Sequence, residues 1–326
     1  MAITGMQANW SQERIVLALA VLLFVASGVA LPRFLDAANL ISIIRSVSVL
    51  GLLAVGMAIV IIGRGIDLAS VAIMAMSAAW YLQMLNDGWT GPTALSLTIA
   101  GVLLIGLCNG FLIAYADVPP IFATLASGSF VFGFVRSQLI TQDAVPVPRG
   151  NWLETLGRAR LLEIPAEVFV FAGAAFAAYL FLRYTKWGRY VYYMGDNVLA
   201  ARNAGIPVRP MTMLRYVISA LIALAAGILT ASSLLSINTR VVNSTLLYDV
   251  ILVVVIGGIG LSGGKGGMRN VLVGAVLIGI MLNAMTIIDI SNIYQNLIKA
   301  TILLIAIVAD SLLNPRDEQT AQQGDI

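Results

Sequence analysis

The sequence predicts an all-α fold, a polytopic membrane helical bundle of about ten transmembrane helices, and three observations predict it. Apolar residues make up 60% of the chain and charged residues 11%, against about 45–50% and about 25% in ordinary soluble domains. Apolar stretches follow one another with short gaps, many of them near the ~20 residues that a ~30 Å hydrocarbon layer requires of a helix. The two long polar intervals differ in charge, as the opposite sides of a membrane protein do. A water-soluble fold could not cover this much apolar surface.

The stretches run in order at 15–31, 47–63, 68–85, 92–115, 119–140, 165–182, 211–236, 247–261, 270–288 and 297–313. Several are shorter than a full span or contain glycine, which predicts tilted or broken helices. Gly28-Val29-Ala30 has the small residues of a signal-peptide cleavage site. Both Glu13 and Arg14 precede the run, however, and the run is longer than a usual signal core, so it reads as an uncleaved first span. Residues 1–14 are then a cytoplasmic segment, 15–313 one transmembrane domain, and the polar tail 314–326 disordered and cytoplasmic.

Orientation follows from the intervals. Residues 183–210 hold Arg183, Lys186, Arg189, Arg202 and Arg209, with Arg215 just beyond, whereas 141–164 offsets its arginines with Asp143, Glu154 and Glu163. The positive-inside rule places 183–210 in the cytoplasm, and an even number of spans puts both termini there. A weak internal echo joins Val60-Ile61-Ile62-Gly63 to Val254-Val255-Ile256-Gly257, of the kind that transporter repeats produce.

Composition also excludes. A net charge of +3 is no nucleic-acid footprint. Cys108 is the one cysteine and there is no histidine, so an internal disulfide, a CxxC site, zinc catalysis and histidine-based triads are out. No metal site and no catalytic residue is expected. Leu261-Ser262-Gly263-Gly264-Lys265 imitates a nucleotide-binding loop, but Ile259 stands where a Walker motif needs glycine and Gly266 where it needs the magnesium-holding hydroxyl. These glycines predict a tight turn between two helices.

The most specific stretch is Met194 to Val208, a short helical pattern of small residues between two spans. It resembles the ribose-type permeases of bacterial ABC sugar importers, in the branched-chain amino acid/ribose permease superfamily, which carry G-x-N-x-x-A-A-R-x-x-G-I in a cytoplasmic loop. Gly195, Asn197, Ala200, Ala201, Arg202, Gly205 and Ile206 match that pattern. The likeness continues through Asn39 to Leu68, through Asn109-Gly110, Val118-Pro119-Pro120 and Thr124-Leu125, through Tyr216 to Ala231, and through Val253 to Gly267, in the family's order. It departs at Leu68-Ala69-Ser70-Val71-Ala72 and at Ser244 to Asp249, where only Tyr248 and Asp249 are kept, so the substrate can differ from ribose.

The resemblance implies an ABC importer permease fold at the inner membrane and a role as transport subunit without its own chemistry. It implies a second permease subunit, identical or not, a cytosolic ABC ATPase that binds the ATP and Mg, and a periplasmic sugar-binding protein. It makes the seven matching residues an ATPase-coupling helix. The plainer reading of that loop is a basic segment held by anionic lipid, and Arg183 and Lys186 are left with it. Asp67 falls just inside a span, where a charge costs about 2.5–3.5 kcal/mol; either it caps the third helix or it faces the path. Trp80, Tyr81, Asn109, Thr124, Ser127, Ser129 and Asn283 are path candidates by side-chain type, the plainer reading of each being packing or an interhelical hydrogen bond. Branched-chain amino acids or nucleosides are the alternative cargo. An ion-coupled secondary transporter would need more ionisable residues within its spans.

Overall fold

The computed structural model describes residues 12–161 and 163–313. The expected N-terminal segment up to residue 11 and the tail 314–326 lie outside the described residues.

Each apolar stretch carries a helix. They are α1 (Gln12–Ala30), α2 (Ala37–Ile62), α3 (Ser70–Asn86), α4 (Gly91–Ala114) and α5 (Pro120–Phe134), then, after a short α6 (Trp152–Arg158), α7 (Ala166–Tyr184). Two short helices follow, α8 (Lys186–Asp196) and α9 (Val198–Asn203), and then α10 (Val208–Leu234), α11 (Leu246–Gly257), α12 (Met268–Ile287) and α13 (Asn292–Leu313). Six of them, α1, α2, α4, α7, α10 and α12, are long and apolar enough to cross a membrane. By that measure the expected ten is not reached. The reasons are local: α3 has 17 residues, α5 passes into a π-turn at Val135–Leu139, α11 is stopped after 12 residues by Gly258 at φ +100°, and α13 counts as a shorter apolar helix over Asn292–Val308.

The core forms around α2, which is buried continuously from Leu50 to Ile62 and is touched by α7, α10, α11 and α12. A helix apolar on every side can be covered by neighbours on every side, and four helices cover α2 in this way. α10 is the second axis, packed on α2, α3 and α4. Its seam with α4 is a small-residue contact: at Gly106 an added Cβ would stand 2.8 Å from the Val217 Cα, and at Gly110 it would strike the Met213 Cα. Glycines four apart let two backbones meet where a hydrophobic force between helices is absent. α1 lies on α12, and α13 packs chiefly on α11.

At the end opposite α8 and α9, β1 (Ala144–Pro146) pairs antiparallel with β4 (Ser236–Asn238), while β2 (Arg160–Leu161) and β3 (Ile164–Pro165) form a second small ladder. Val145 and Ile237 oppose each other and are buried. Asp143 clamps this end, paired with Arg240 at 2.9 Å and Arg136 at 2.5 Å. Hydrogen bonds from Arg240 and then Arg136 hold its carboxyl below the ordinary 3.8.

Besides Asp67, four charged side chains among the described residues are buried: Glu167, Arg215, Asp249 and Lys299. Arg45 on α2 lies 3.6 Å from Glu167 on α7, and Glu167 also accepts a hydrogen bond from Ser233. Lys299 on α13 lies 2.8 Å from Asp249 on α11 and donates to Thr245 at 2.7 Å. Arg215, just beyond the basic interval, is buried, donating to the Gly63 carbonyl and, at 3.0 Å, to Thr212. A guanidinium there satisfies carbonyls left free at the C-terminus of α2 and meets its partial negative charge.

Candidate functional site

The stretch 195–206 folds as a capped unit standing on the end of α2. Asn197 opens α9 as its N-cap, its side chain accepting from the Ala200 N–H at 2.9 Å. At the other end the Gly205 N–H donates to the Arg202 carbonyl and the Ile206 N–H to the Ala201 carbonyl, each at 3.0 Å. These two bonds define a Schellman stop, which wants a residue in left-handed conformation at the first position past the cap. Gly205 supplies it at φ +76°. The apolar contact that accompanies such a stop is present too, since Ala201 and Ile206 are both buried in the main core.

Burial divides the seven residues by task. Gly195, Ala201 and Ile206 face inward, Asn197 is half-buried, and Ala200, Arg202 and Gly205 are exposed. A Cβ at Gly195 would collide with the Ile62 carbonyl oxygen and stand 2.5 Å from the Gly264 nitrogen. Gly264 itself donates to the Ile62 carbonyl at 2.8 Å. The end of α2, the end of α8 and the turn between α11 and α12 therefore meet backbone to backbone at Ile62, Gly195 and Gly264. The turn is tight as expected, with Gly263, Gly264 and Gly266 all at positive φ. The two strings that echo each other in sequence are thus two helix ends brought to one end of the bundle. Tyr192 on α8 donates to the Gly266 carbonyl at 2.8 Å, and burial raises its phenol above the ordinary value, keeping it a donor. Beside Arg202 a hollow of about 420 Å³ is lined by Tyr115, Ile206 and residues 207–210, with the Arg209 guanidinium 5.1 Å from the Tyr115 ring centre.

The path candidates separate. Asp67 is buried at 1% exposure and is not the N-cap of α3, which is Ala69. Its carboxylate accepts from the Ala69 N–H at 3.1 Å and from the Ser219 hydroxyl at 2.7 Å, so it tightens the turn before α3 and ties it to α10. Thr124 is brought to the same segment, accepting from the Leu68 N–H at 3.1 Å, and Ser127 donates to the Thr124 carbonyl at 3.1 Å. The others lie elsewhere. Asn283 exchanges amide hydrogen bonds with Asn39 at 2.8 and 3.1 Å, closing α12 on α2. Asn109 is buried in α4 with its Oδ1 unpartnered. Trp80 lines an apolar hollow of about 260 Å³ among α3, α4 and α5. Tyr81 is buried and accepts from the Trp152 indole at 3.1 Å, and Ser129 is exposed on α5.

The family of branched-chain amino acid transport system permease components matches residues 39–307, from the start of α2 into α13. The chain belongs to that family. Among its relatives, the ribose import permease of Haemophilus influenzae is 31% identical across 94% of each chain. That of Escherichia coli K12 is 30% identical across 92% of this chain and 94% of its own. The galactofuranose transporter permease of Escherichia coli K12 is 32% identical across 83% of this chain and 79% of its own. No solved structure matches. As a permease component the chain is a multi-pass membrane protein, and the capped α8–α9 unit and the segment after α2 lie within the matched residues.

Proposed function

We infer that this chain is the membrane subunit of a binding-protein-dependent ABC importer that brings a monosaccharide or related sugar into the cytoplasm. The observation that carries the cargo class is the match, over nearly the full length of both chains, to permeases named for ribose, joined by one named for galactofuranose. Two permease subunits enclose the path, a cytosolic ATPase holds ATP and Mg, and a periplasmic protein delivers the sugar. The chain itself performs no catalysis.

Coupling follows from the α8–α9 geometry. Arg202 and Ala200 form the exposed crest that meets the ATPase, Arg202 offering planar donors that keep their charge. Ala201 and Ile206 anchor the crest, and Gly195 transmits its displacement to α2 by backbone contact. Because α2 is the central helix, a rigid movement at its end reaches the whole bundle. ATP-driven closure of the ATPase shifts the permease between two packings, and hydrolysis resets it.

Ten crossings are supported by which loops share an end. Tyr115 lies under Arg209, and Gly264 lies on Gly195, so these loops belong to the α8–α9 end. Asn86 donates to the Pro146 carbonyl at 3.0 Å, so it belongs to the β1 end. Those placements favour crossings by α3, α5 and α11 alongside α4, α7 and α10, and α13, apolar from Asn292 to Val308, would make the tenth. Excess arginine favours the cytoplasmic side for the α8–α9 end, in what we read as an inner membrane.

The test is reconstitution in liposomes with the ATPase and the binding protein. Monosaccharide-loaded binding protein is expected to stimulate ATP hydrolysis and uptake of labelled sugar. Stimulation by a branched-chain amino acid with none by any sugar would overturn the cargo class.

A further inference from the structure

At the α8–α9 end a second, polar hollow of about 320 Å³ shares no residue with the one beside Arg202. Its polar walls are Glu13 of α1, Tyr179 and Arg183 of α7, Tyr192 of α8, and Arg269 and Asn270 of α12. Arg183 and Arg269 are exposed, and among the described residues neither has a carboxylate within ion-pair distance. Arg183 is nonetheless fixed in place. It donates to the Tyr179 hydroxyl at 2.7 Å, and its guanidinium lies 5.7 Å from the ring centres of both Tyr179 and Tyr184.

The helices below the hollow repeat one pattern in opposite chain directions. On α7, Leu180 and Phe176 precede Arg183 by three and seven residues, and on α12, Leu272 and Val276 follow Arg269 by three and seven. That spacing puts each arginine and its two apolar residues on one helix face. All four apolar side chains are exposed. A cationic head therefore stands above two apolar stripes, on helices that touch each other.

We propose that this hollow holds the headgroup of a phospholipid bearing a phosphate and a primary ammonium, with its acyl chains along α7 and α12. The arginine pair takes the phosphate through charge-assisted hydrogen bonds, as basic pockets between transmembrane helices do. Glu13 takes the ammonium, which a purely anionic headgroup would not supply. The headgroup sits against Tyr192 and the Gly266 turn, and so braces the junction of α8 with the α11–α12 connection. The inference needs the membrane helices alone, and failure of the sugar-import reading would leave it standing.

The experiment is native mass spectrometry of the full chain purified in mild detergent, followed by exchange in liposomes of phosphatidylethanolamine mixed with phosphatidylglycerol. Wild type is expected to retain one phosphatidylethanolamine per chain. Arg183→Ala with Arg269→Ala should lower retention about tenfold or more, the loss of at least one charged hydrogen bond, and Lys186→Ala, on the same end outside the hollow, should not. Glu13→Gln should keep a lipid but lose the preference for ethanolamine over glycerol headgroups. Arg269→Gln alone serves if the double variant fails to fold, with a smaller loss in the same direction. Equal retention by wild type and the arginine variants would overturn the proposal. So would full displacement of the lipid by millimolar inorganic phosphate, which would mark a plain anion site.

Discussion

Gly195 and Gly205 stand ten residues apart in one motif and are glycines for different reasons, which their alanine variants can separate. Gly205 has open space around it, and only its positive φ excludes a side chain. Gly205→Ala should therefore cost about 1–2 kcal/mol, the penalty of a left-handed L-residue, and leave the fold intact. Gly195→Ala meets backbone oxygen and nitrogen, which cannot rotate aside. Overpacking costs about 1–3 kcal/mol where side chains can give way, so this variant should lose about 3 kcal/mol or more. Thermal unfolding in detergent reads both, and an equal loss would remove Gly195 from the α2 junction. Arg202→Glu is the complement. Arg202 is exposed and carries no packing, so stability should stay within about 0.5 kcal/mol, while sugar-stimulated ATP hydrolysis by the reconstituted complex falls to its basal rate. Retained stimulation would take the coupling role from α9. At this scale the motif was legible because capping and stop chemistry are local: Asn197, Gly205 and Ile206 name their own positions. Gly195 was not, because the oxygen it meets belongs to Ile62, far away in sequence.

The helices themselves were legible from apolar length, and their ties were not. Nothing local announces that Lys299 meets Asp249, since each reads as an isolated charge in an apolar run until α11 and α13 are packed. The same holds for Asp67, which reads as a cap until Ser219 of α10 is found on its carboxylate. Each tie has a measurable consequence. Lys299→Met strands the Asp249 carboxylate and should destabilise by about 3–5 kcal/mol, whereas adding Asp249→Leu should restore most of the loss, because an apolar pair fills a buried ion-pair site at little cost. If the single and double variants unfold alike, the pair holds nothing. At the β1–β4 end the sign of the pH response is fixed by Asp143. Its folded value lies below 3.8, so the carboxylate binds fewer protons folded than unfolded and its contribution is complete above about that pH. The stability advantage of wild type over Asp143→Asn should be level from neutrality down to there, then shrink as pH falls through the lower folded value. An advantage that disappears already near neutral pH would exclude the Arg240 and Arg136 clamp as its source.

For the whole molecule the open quantity is how many times the chain crosses the bilayer, and six and ten give different maps. If only the six long helices crossed, Asp87 would lie on the same side as Arg202, while Asp117 and Lys265 would lie opposite. Ten crossings reverse all three assignments, because α3, α5 and α11 each turn the chain once more, with α13 adding the tenth crossing beyond these positions. Thr155 and Ser244 lie opposite Arg202 on either count and serve as references. Single cysteines at these positions, in a chain with Cys108→Ala, can be labelled in intact cells by a membrane-impermeant maleimide. Ten crossings with α8 and α9 inside require labelling at Asp87→Cys, Thr155→Cys and Ser244→Cys, and protection at Asp117→Cys, Arg202→Cys and Lys265→Cys until the membrane is opened. Labelling at Asp117→Cys and Lys265→Cys with protection at Asp87→Cys would mean six. That result would leave α3 and α11 as buried helices that enter and leave by one face, and the contact of Gly264 with Gly195 would then have to join opposite sides of the membrane. Two backbones that touch cannot lie on opposite sides of a layer about 30 Å thick, which is why ten is the expected outcome.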